Sequence, residues 1–140
     1  MVRRKEIGQV LAWIAVLFPL LIALVGLVHD GLFLWAQFRR ARWAADGAAI
    51  AAAMELNPER YLWSGQVKLT PQAVMVARYY AQLNDPQLHI TNIYVHGNRI
   101  FVEGYVEVQP VFLSLIGVPP LRLRVRGHER PAWGITRENQ

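Results

Sequence analysis

The side chains that could carry out catalysis or hold a metal are few and widely spaced in this sequence. The four histidines, at positions 29, 89, 96 and 128, lack the spacing typical of metal ligands. Ser64 and Ser114 are the available serine nucleophiles, and the chain has no cysteine and no glycine-rich phosphate-binding loop. We therefore expect no enzyme activity, no metal, no cofactor and no small-molecule substrate.

Asp30 is the acidic residue with the most informative position, because it lies two residues after the end of the longest apolar run of the chain. A carboxylate at membrane depth is costly unless it is paired or hydrated. Two interpretations are open. Asp30 contacts a basic group of a partner helix, or it lies beside His29 in the water of the lipid headgroup region.

The element that positions Asp30 is the uncharged segment Val10–Val28. At 1.5 Å per residue its length nearly matches a hydrocarbon core of about 30 Å, and it has no polar face at helical spacing. The sequence therefore predicts a membrane helix, with Pro19 as a possible kink. A cleaved signal peptide is the rival interpretation, but apolar residues continue through Gly31–Phe38 without a cleavage site, so we expect the anchor to be retained.

Basic residues flank the apolar segment on both sides. The N-terminal cluster lies closer to the segment, so the positive-inside rule favours a cytoplasmic N-terminus. Anionic headgroups explain these residues and most of the net charge of +5, so we expect a lipid membrane as a partner and no nucleic acid. The flanking residues are Arg3, Arg4 and Lys5 before the segment and Arg39, Arg40 and Arg42 after it.

The helix is expected to continue out of the membrane, because residues 39–54 are rich in alanine and contain no proline. Asn57–Pro58 should end it. Small residues four apart, such as Ala45 and Ala49, allow another helix backbone to approach closely. Helix propensity explains the alanines equally well, but it does not explain Gly47, which favours a packed helix.

The rest of the chain predicts a small antiparallel sheet of three or four strands with one packed helix. Thr70–Pro71 should begin that helix, and Asn84–Asp85–Pro86 should end it. The predicted strands are Leu88–Val95, Ile100–Val108 with a bulge at Gly104, and Leu121–Arg126.

Two segments of this region allow more than one interpretation. Val111–Ile116 is an apolar run that fits a helical turn, a buried strand or a membrane-touching loop. Arg122, Arg124 and Arg126 share one face of the last strand. They either bind phosphates or protect an edge strand, and the aromatic residues typical of a nucleic-acid surface are missing from that strand.

Together these patterns predict an α+β protein in four parts. They are a cytoplasmic basic N-terminus (1–9), a transmembrane helix extending out of the membrane (10–56), an extracytoplasmic α+β domain (57–130) and a loose tail (131–140).

Several of these features in this order resemble TadE/TadG-like proteins of the tight-adherence (Flp) pilus assembly systems of bacteria. The similar features are Gly8–Gln9, an apolar run with Pro19 and Gly26, Asp30, a basic cluster, Ala44–Ala52, and then Ile100–Arg126 including Phe112–Gly117. The resemblance implies a pseudopilin-like, single-pass protein of the bacterial cytoplasmic membrane with its C-terminal domain outside. It also implies a role in pilus assembly or secretion and in surface attachment, with other assembly or pilin subunits as partners through the N-terminal helix.

One position departs from the family pattern. Processed prepilin-like members carry a glutamate five residues after the cleavage glycine, whereas Trp13 holds that place after Gly8. We therefore expect that the chain is not cleaved at Gly8. Two functions remain open: a component of a pilus or secretion apparatus, or a membrane-tethered binding module that does not polymerise.

Overall fold

The computed structural model describes residues 4–56 and 67–130, which form an α+β fold as the sequence predicts. The elements in chain order are α1 (Arg4–Met54), α2 (Pro71–Asn84), β1 (His89–His96), β2 (Arg99–Val108), α3 (Phe112–Leu115) and β3 (Leu121–Glu129). The strands make one antiparallel sheet in the order β1-β2-β3. Arg3, the predicted break at Asn57–Pro58 and the predicted tail 131–140 lie outside the described residues.

Helix α1 begins at Arg4, six residues before the predicted start, and ends at Met54, two residues before the predicted end of that part at residue 56. It continues through Pro19, whose side chain is exposed. Among the described residues, Gly8–Met54 is the one helical stretch long and apolar enough to cross a membrane. Its large apolar side chains between Val10 and Val28 are exposed, unlike those of a core helix in a soluble protein.

The chain divides into two compact units. The first contains α1 up to Trp35 together with Gln109–Leu121, and therefore includes α3. The second contains Ala36–Val108 and the residues from Arg122 onward, and therefore includes the C-terminal part of α1, α2 and nearly all of the sheet.

Helix α2 begins and ends where the local sequence predicts. The Ala73 N–H donates to Thr70 Oγ1 at 3.1 Å, which caps the first turn, and the Asp85 N–H closes the last turn on the Ala81 carbonyl. The helix runs antiparallel to the C-terminal part of α1, since Gln72 contacts Glu55, just after α1, at one end and Asp85 contacts Arg40 at the other. Its buried residues are Ala73, Ala77 and Ala81.

The hairpin of β1 and β2 turns at Gly97, whose φ of 59° suits glycine. The predicted bulge exists on the opposite strand: the register shifts between Ile90 and Asn92, so the extra residue is Thr91 of β1. Gly104 faces this irregularity on β2. A Cβ at Gly104 would lie 2.7 Å from the His89 carbonyl oxygen, so the two strands approach closely there.

Strand β3 is an edge strand that packs on α1. Gly127 lies against the backbone of Ala45 and Asp46, where a Cβ would overlap both residues. The His128 N–H donates to Asp46 Oδ1 at 3.1 Å. The predicted alternation of β3 is observed, with Val125 buried and Arg124 exposed, and the strand continues three residues beyond the predicted Arg126.

Candidate functional site

Gly26 and Asp30 are the two buried residues of α1 between Gly8 and Trp35. They lie four residues apart, so they occupy the same face of the helix, one turn after the other. Both are covered by α3 and the residue before it, all within the first compact unit. The rest of this stretch of α1 is exposed or half-buried.

Asp30 caps α3 from a distant part of the chain. The Val111 N–H donates to Asp30 Oδ1 at 2.9 Å, and the Leu113 N–H donates to Oδ2 at 2.7 Å. The first N–H groups of a helix have no partner within it, and α3 has no side-chain cap from Val111. Hydrogen bonds to a carboxylate are the stronger kind, so Asp30 holds the start of α3 firmly.

This arrangement differs from both interpretations of Asp30 drawn from the sequence. The side chain is fully buried, so the expectation that it lies in headgroup water is wrong. Two backbone donors satisfy its two oxygens, so the carboxylate needs no basic group of a partner helix.

Gly26 makes room for the ring of Phe112. A Cβ at Gly26 would lie 2.5 Å from Phe112 Cδ1 and 2.6 Å from Cγ, closer than carbon atoms approach. The His29 ring meets the same phenyl ring edge to face, with centroids 5.6 Å apart. We call the contact of Gly26, His29 and Asp30 with Val111–Leu113 the clasp.

The remaining sequence-predicted packing residues of α1 have contacts of a different kind, in the second compact unit. Ala45 and Ala49 are fully buried by the chain itself, which excludes the predicted contact of their side chains with a partner helix. Ala45 lies under Gly127 of β3, and a Cβ at Gly47 would lie 3.0 Å from Asn84 Nδ2 of α2. The small residues therefore serve close packing within the chain.

The predicted membrane-flanking and processing residues are distributed as follows. Arg4 and Lys5 lie in the first turn of α1, and a Cβ at Gly8 would meet nothing within 4 Å. The later basic cluster makes contacts inside the chain: Arg40 Nε is 3.8 Å from Asp85 Oδ1, Arg42 Nε is 4.0 Å from Asp46 Oδ2, and Arg39 stacks on Trp43 at 4.8 Å.

A second surface was not foreseen from the sequence. On the outer face of the sheet, Phe101 stacks between Tyr94 and His128, with centroids 5.3 and 5.8 Å apart. His89 stacks on Tyr105 at 5.3 Å. We call this face the sheet surface; it comprises Tyr94, Phe101, Glu103, Tyr105, Glu107, Arg122, Arg124 and Arg126 with these two histidines. The sequence signal that could have indicated this surface is the even spacing of Phe101 and Tyr105, which places both rings on the same face of β2.

Two of the three arginines of β3 are paired across this surface. Arg122 Nη2 is 2.7 Å from Glu107 Oε1, and its guanidinium lies 4.2 Å from the centre of the Tyr105 ring. Arg126 Nη2 is 2.6 Å from Glu103 Oε1. The Arg124 side chain has no hydrogen-bond or ion-pair partner in the part of the chain that the structure describes, and it lines a groove of about 410 Å³.

Tyr94 and Arg122 on the sheet surface keep their ordinary charge states. Burial raises the pKa of the Tyr94 phenol, and its hydrogen bond to Glu103 Oε1 at 3.0 Å raises the pKa further, so the phenol stays neutral and donates. The hydrogen bond to Glu107 raises the pKa of Arg122. No group of three metal-ligating side chains occurs within residues 4–56 and 67–130.

No protein-family model, curated protein or solved structure matches this chain. Its function is therefore inferred from the clasp, the sheet surface and the apolar helix.

Proposed function

We propose that the chain is a membrane-anchored, TadE/TadG-like component of a Flp/Tad (type IV-like) pilus assembly or secretion apparatus. In this proposal α1 anchors it as a single-pass protein of the bacterial cytoplasmic membrane, with residues 57–130 outside the cytoplasm. The protein acts through contacts of the N-terminal helix with other assembly or pilin subunits, and it catalyses no reaction.

The observation that carries the proposal is the clasp. Gly26 and Asp30 belong to the N-terminal stretch that resembles the family, and Phe112 belongs to the C-terminal stretch that does. The contacting residues of the two stretches are more than 80 positions apart along the chain. Because the two stretches contact each other, they belong to one structural feature. This contact supports the view that both stretches resemble the same family for the same structural reason.

The exposed side chains of α1 before Gly26 support the proposal that this part of the helix contacts other subunits. The alanines near the C-terminal end of α1 are buried by the chain itself, whereas the apolar residues from Val10 to Val25 are exposed. Lipid and the helices of other subunits are the surroundings that suit such an all-apolar helix surface. We therefore assign the partner contacts to residues 10–25.

The proposal is tested by deleting the gene in the native host and counting surface pili by electron microscopy. We expect pili to be lost and to return when the intact chain is supplied. A matched variant has residues 10–25 replaced by an unrelated apolar helix of equal length, which preserves the clasp. We expect it to reach the membrane without restoring pili, because the partner contacts are lost. Normal pilus numbers in the deletion strain would contradict the proposal.

A membrane-tethered binding module is the second candidate, and Arg124 is the observation that favours it. Its guanidinium is exposed and unpaired in the described chain, between two arginines that glutamates hold in place. A free guanidinium binds carboxylates and phosphates through two parallel hydrogen bonds. The substitution Arg124→Ala separates the candidates: a binding module loses function with unchanged stability, whereas an assembly component working through α1 restores pili fully.

A further inference from the structure

We propose that α3 and the residues beside it form a second membrane contact, in which Leu115 and Ile116 insert among lipid acyl chains next to α1. This inference rests on the proposed membrane anchorage of α1. We call the segment Val111–Val118 the wedge.

The wedge exposes apolar side chains where a water-soluble protein would place polar ones. Leu115 is 80% exposed and Ile116 is 77% exposed, while Val111 is 53% exposed. No charged residue occurs from Val111 to Pro120. A contiguous exposed apolar group of this kind marks a contact with a membrane or a partner.

The position of the wedge on α1 indicates that lipid is what its exposed side chains contact. Phe112 packs on Gly26, which lies inside the apolar segment Val10–Val28, and its ring also meets His29, the first residue after that segment. The exposed side chains of α1 around Gly26 are Val25, Leu27 and Val28. The apolar surface of the wedge is thus continuous with the part of α1 that is apolar enough to cross a membrane.

The backbone of the wedge is also suited to an apolar surrounding, in which every unpaired N–H or C=O is costly. Asp30 accepts from the Val111 and Leu113 N–H groups. The N–H groups of Ile116, Gly117 and Val118 donate to carbonyls of Leu113 and Ser114, at 3.0 to 3.3 Å. The Ser114 hydroxyl donates to the Val111 carbonyl at 2.6 Å. These five N–H groups and the Ser114 hydroxyl therefore do not need water as a partner.

The absence of cysteine from the chain allows a clean test with single-cysteine variants of the full-length protein. Ile116→Cys, Val16→Cys and Arg124→Cys are each labelled with an environment-sensitive fluorophore. The proteins are placed in phosphatidylcholine–phosphatidylglycerol vesicles, with and without lipids brominated in the acyl chains. All three positions are exposed, so the label leaves the core intact.

We expect acyl-chain bromines to quench the fluorophore at Ile116 as strongly as at Val16, and to leave the one at Arg124 unchanged. Aqueous iodide should give the reverse order. Quenching at Val16 without quenching at Ile116 would overturn the wedge while leaving the anchorage of α1 intact. An unquenched fluorophore at Val16 would overturn the anchorage itself, and the wedge with it.

Discussion

Gly26 and Gly31 are two glycines of the same helix that differ in what a side chain would meet. Phe112 fills the space beside Gly26, and nothing lies within 4 Å at Gly31. Alanine in a helix is favoured over glycine by about 1 kcal/mol, so Gly31→Ala should stabilise the protein. Overpacking costs about 1–3 kcal/mol, so Gly26→Ala should destabilise it.

Thermal unfolding of the full chain in detergent micelles measures both changes. The double variant Gly26→Ala with Phe112→Ala should recover part of the loss, because the ring that clashes is gone. Equal melting temperatures for Gly26→Ala and Gly31→Ala would show that Phe112 does not pack on Gly26.

Asp30 and Asp46 form a second matched pair, since each accepts hydrogen bonds from backbone groups far along the chain. An amide nitrogen cannot accept, so Asp30→Asn deprives one of two buried N–H groups of its acceptor. Asp46 is partly exposed, so water can replace the carboxylate as acceptor for the His128 N–H. We expect Asp30→Asn to lower the melting temperature, and the recovery of assembly complexes, more than Asp46→Asn. A loss of the same size in both variants would argue against the cap.

For individual residues, the sequence identified important positions but did not reveal which residues they contact. Gly26 was named from a family resemblance and Asp30 from its position at the end of the apolar segment, and their spacing places them on one helix face. Their partner Phe112 could not be derived, because helical and strand periodicity report local structure only. The stacked rings beside the arginines were missed for the same reason: Phe101 and Tyr105 come from β2, and the arginines come from β3.

Strand β3 is held on α1 by close backbone contact at Gly127. Any side chain there would overlap Ala45 in the helix backbone, which cannot move aside as a flexible side chain can. We expect Gly127→Ala to lower the stability by about 3 kcal/mol, the upper end for overpacked sites. Circular dichroism during urea unfolding checks this. Arg124→Ala on the exposed face of the same strand should change the stability by less than about 0.5 kcal/mol.

The elements that follow local rules were predicted closely. Thr70 and Pro71 begin α2 and Asn84–Asp85–Pro86 ends it, because capping and proline geometry act over a few residues. The predicted end of β3 and the predicted position of the bulge were wrong. The strand reaches Glu129 because Gly127 and His128 contact α1, and such contacts have no signature in the strand's own sequence.

The orientation of the whole molecule is predicted by the basic residues before the apolar segment. A tag fused after Gln140 should lie outside the cytoplasm, where protease added to spheroplasts removes it. A tag at the N-terminus should stay protected in the same cells, which serves as the control. Protection of the C-terminal tag until the membrane is opened would reverse the orientation.

The mature protein is expected to retain Arg3, Arg4 and Lys5. Trp13 stands where processed members of the similar family carry glutamate, so an amine freed at Gln9 would lack a compensating charge. The retained basic residues also keep their attraction to anionic headgroups, about 1 kcal/mol each near the surface. Intact mass of the protein purified from its native host measures this, and a species that begins at Gln9 would refute the prediction.

The separation of the two sides of the clasp along the chain has a consequence for biosynthesis. Asp30 leaves the ribosome 81 residues before Val111 and 83 before Leu113. At about 5–20 residues per second, the carboxylate waits roughly 4–16 s for its donors. All of Ala36–Val108 is synthesised during that interval. Insertion of the proposed anchor during synthesis would therefore occur with Asp30 still hydrated, and the clasp is among the last contacts to form in a newly made chain.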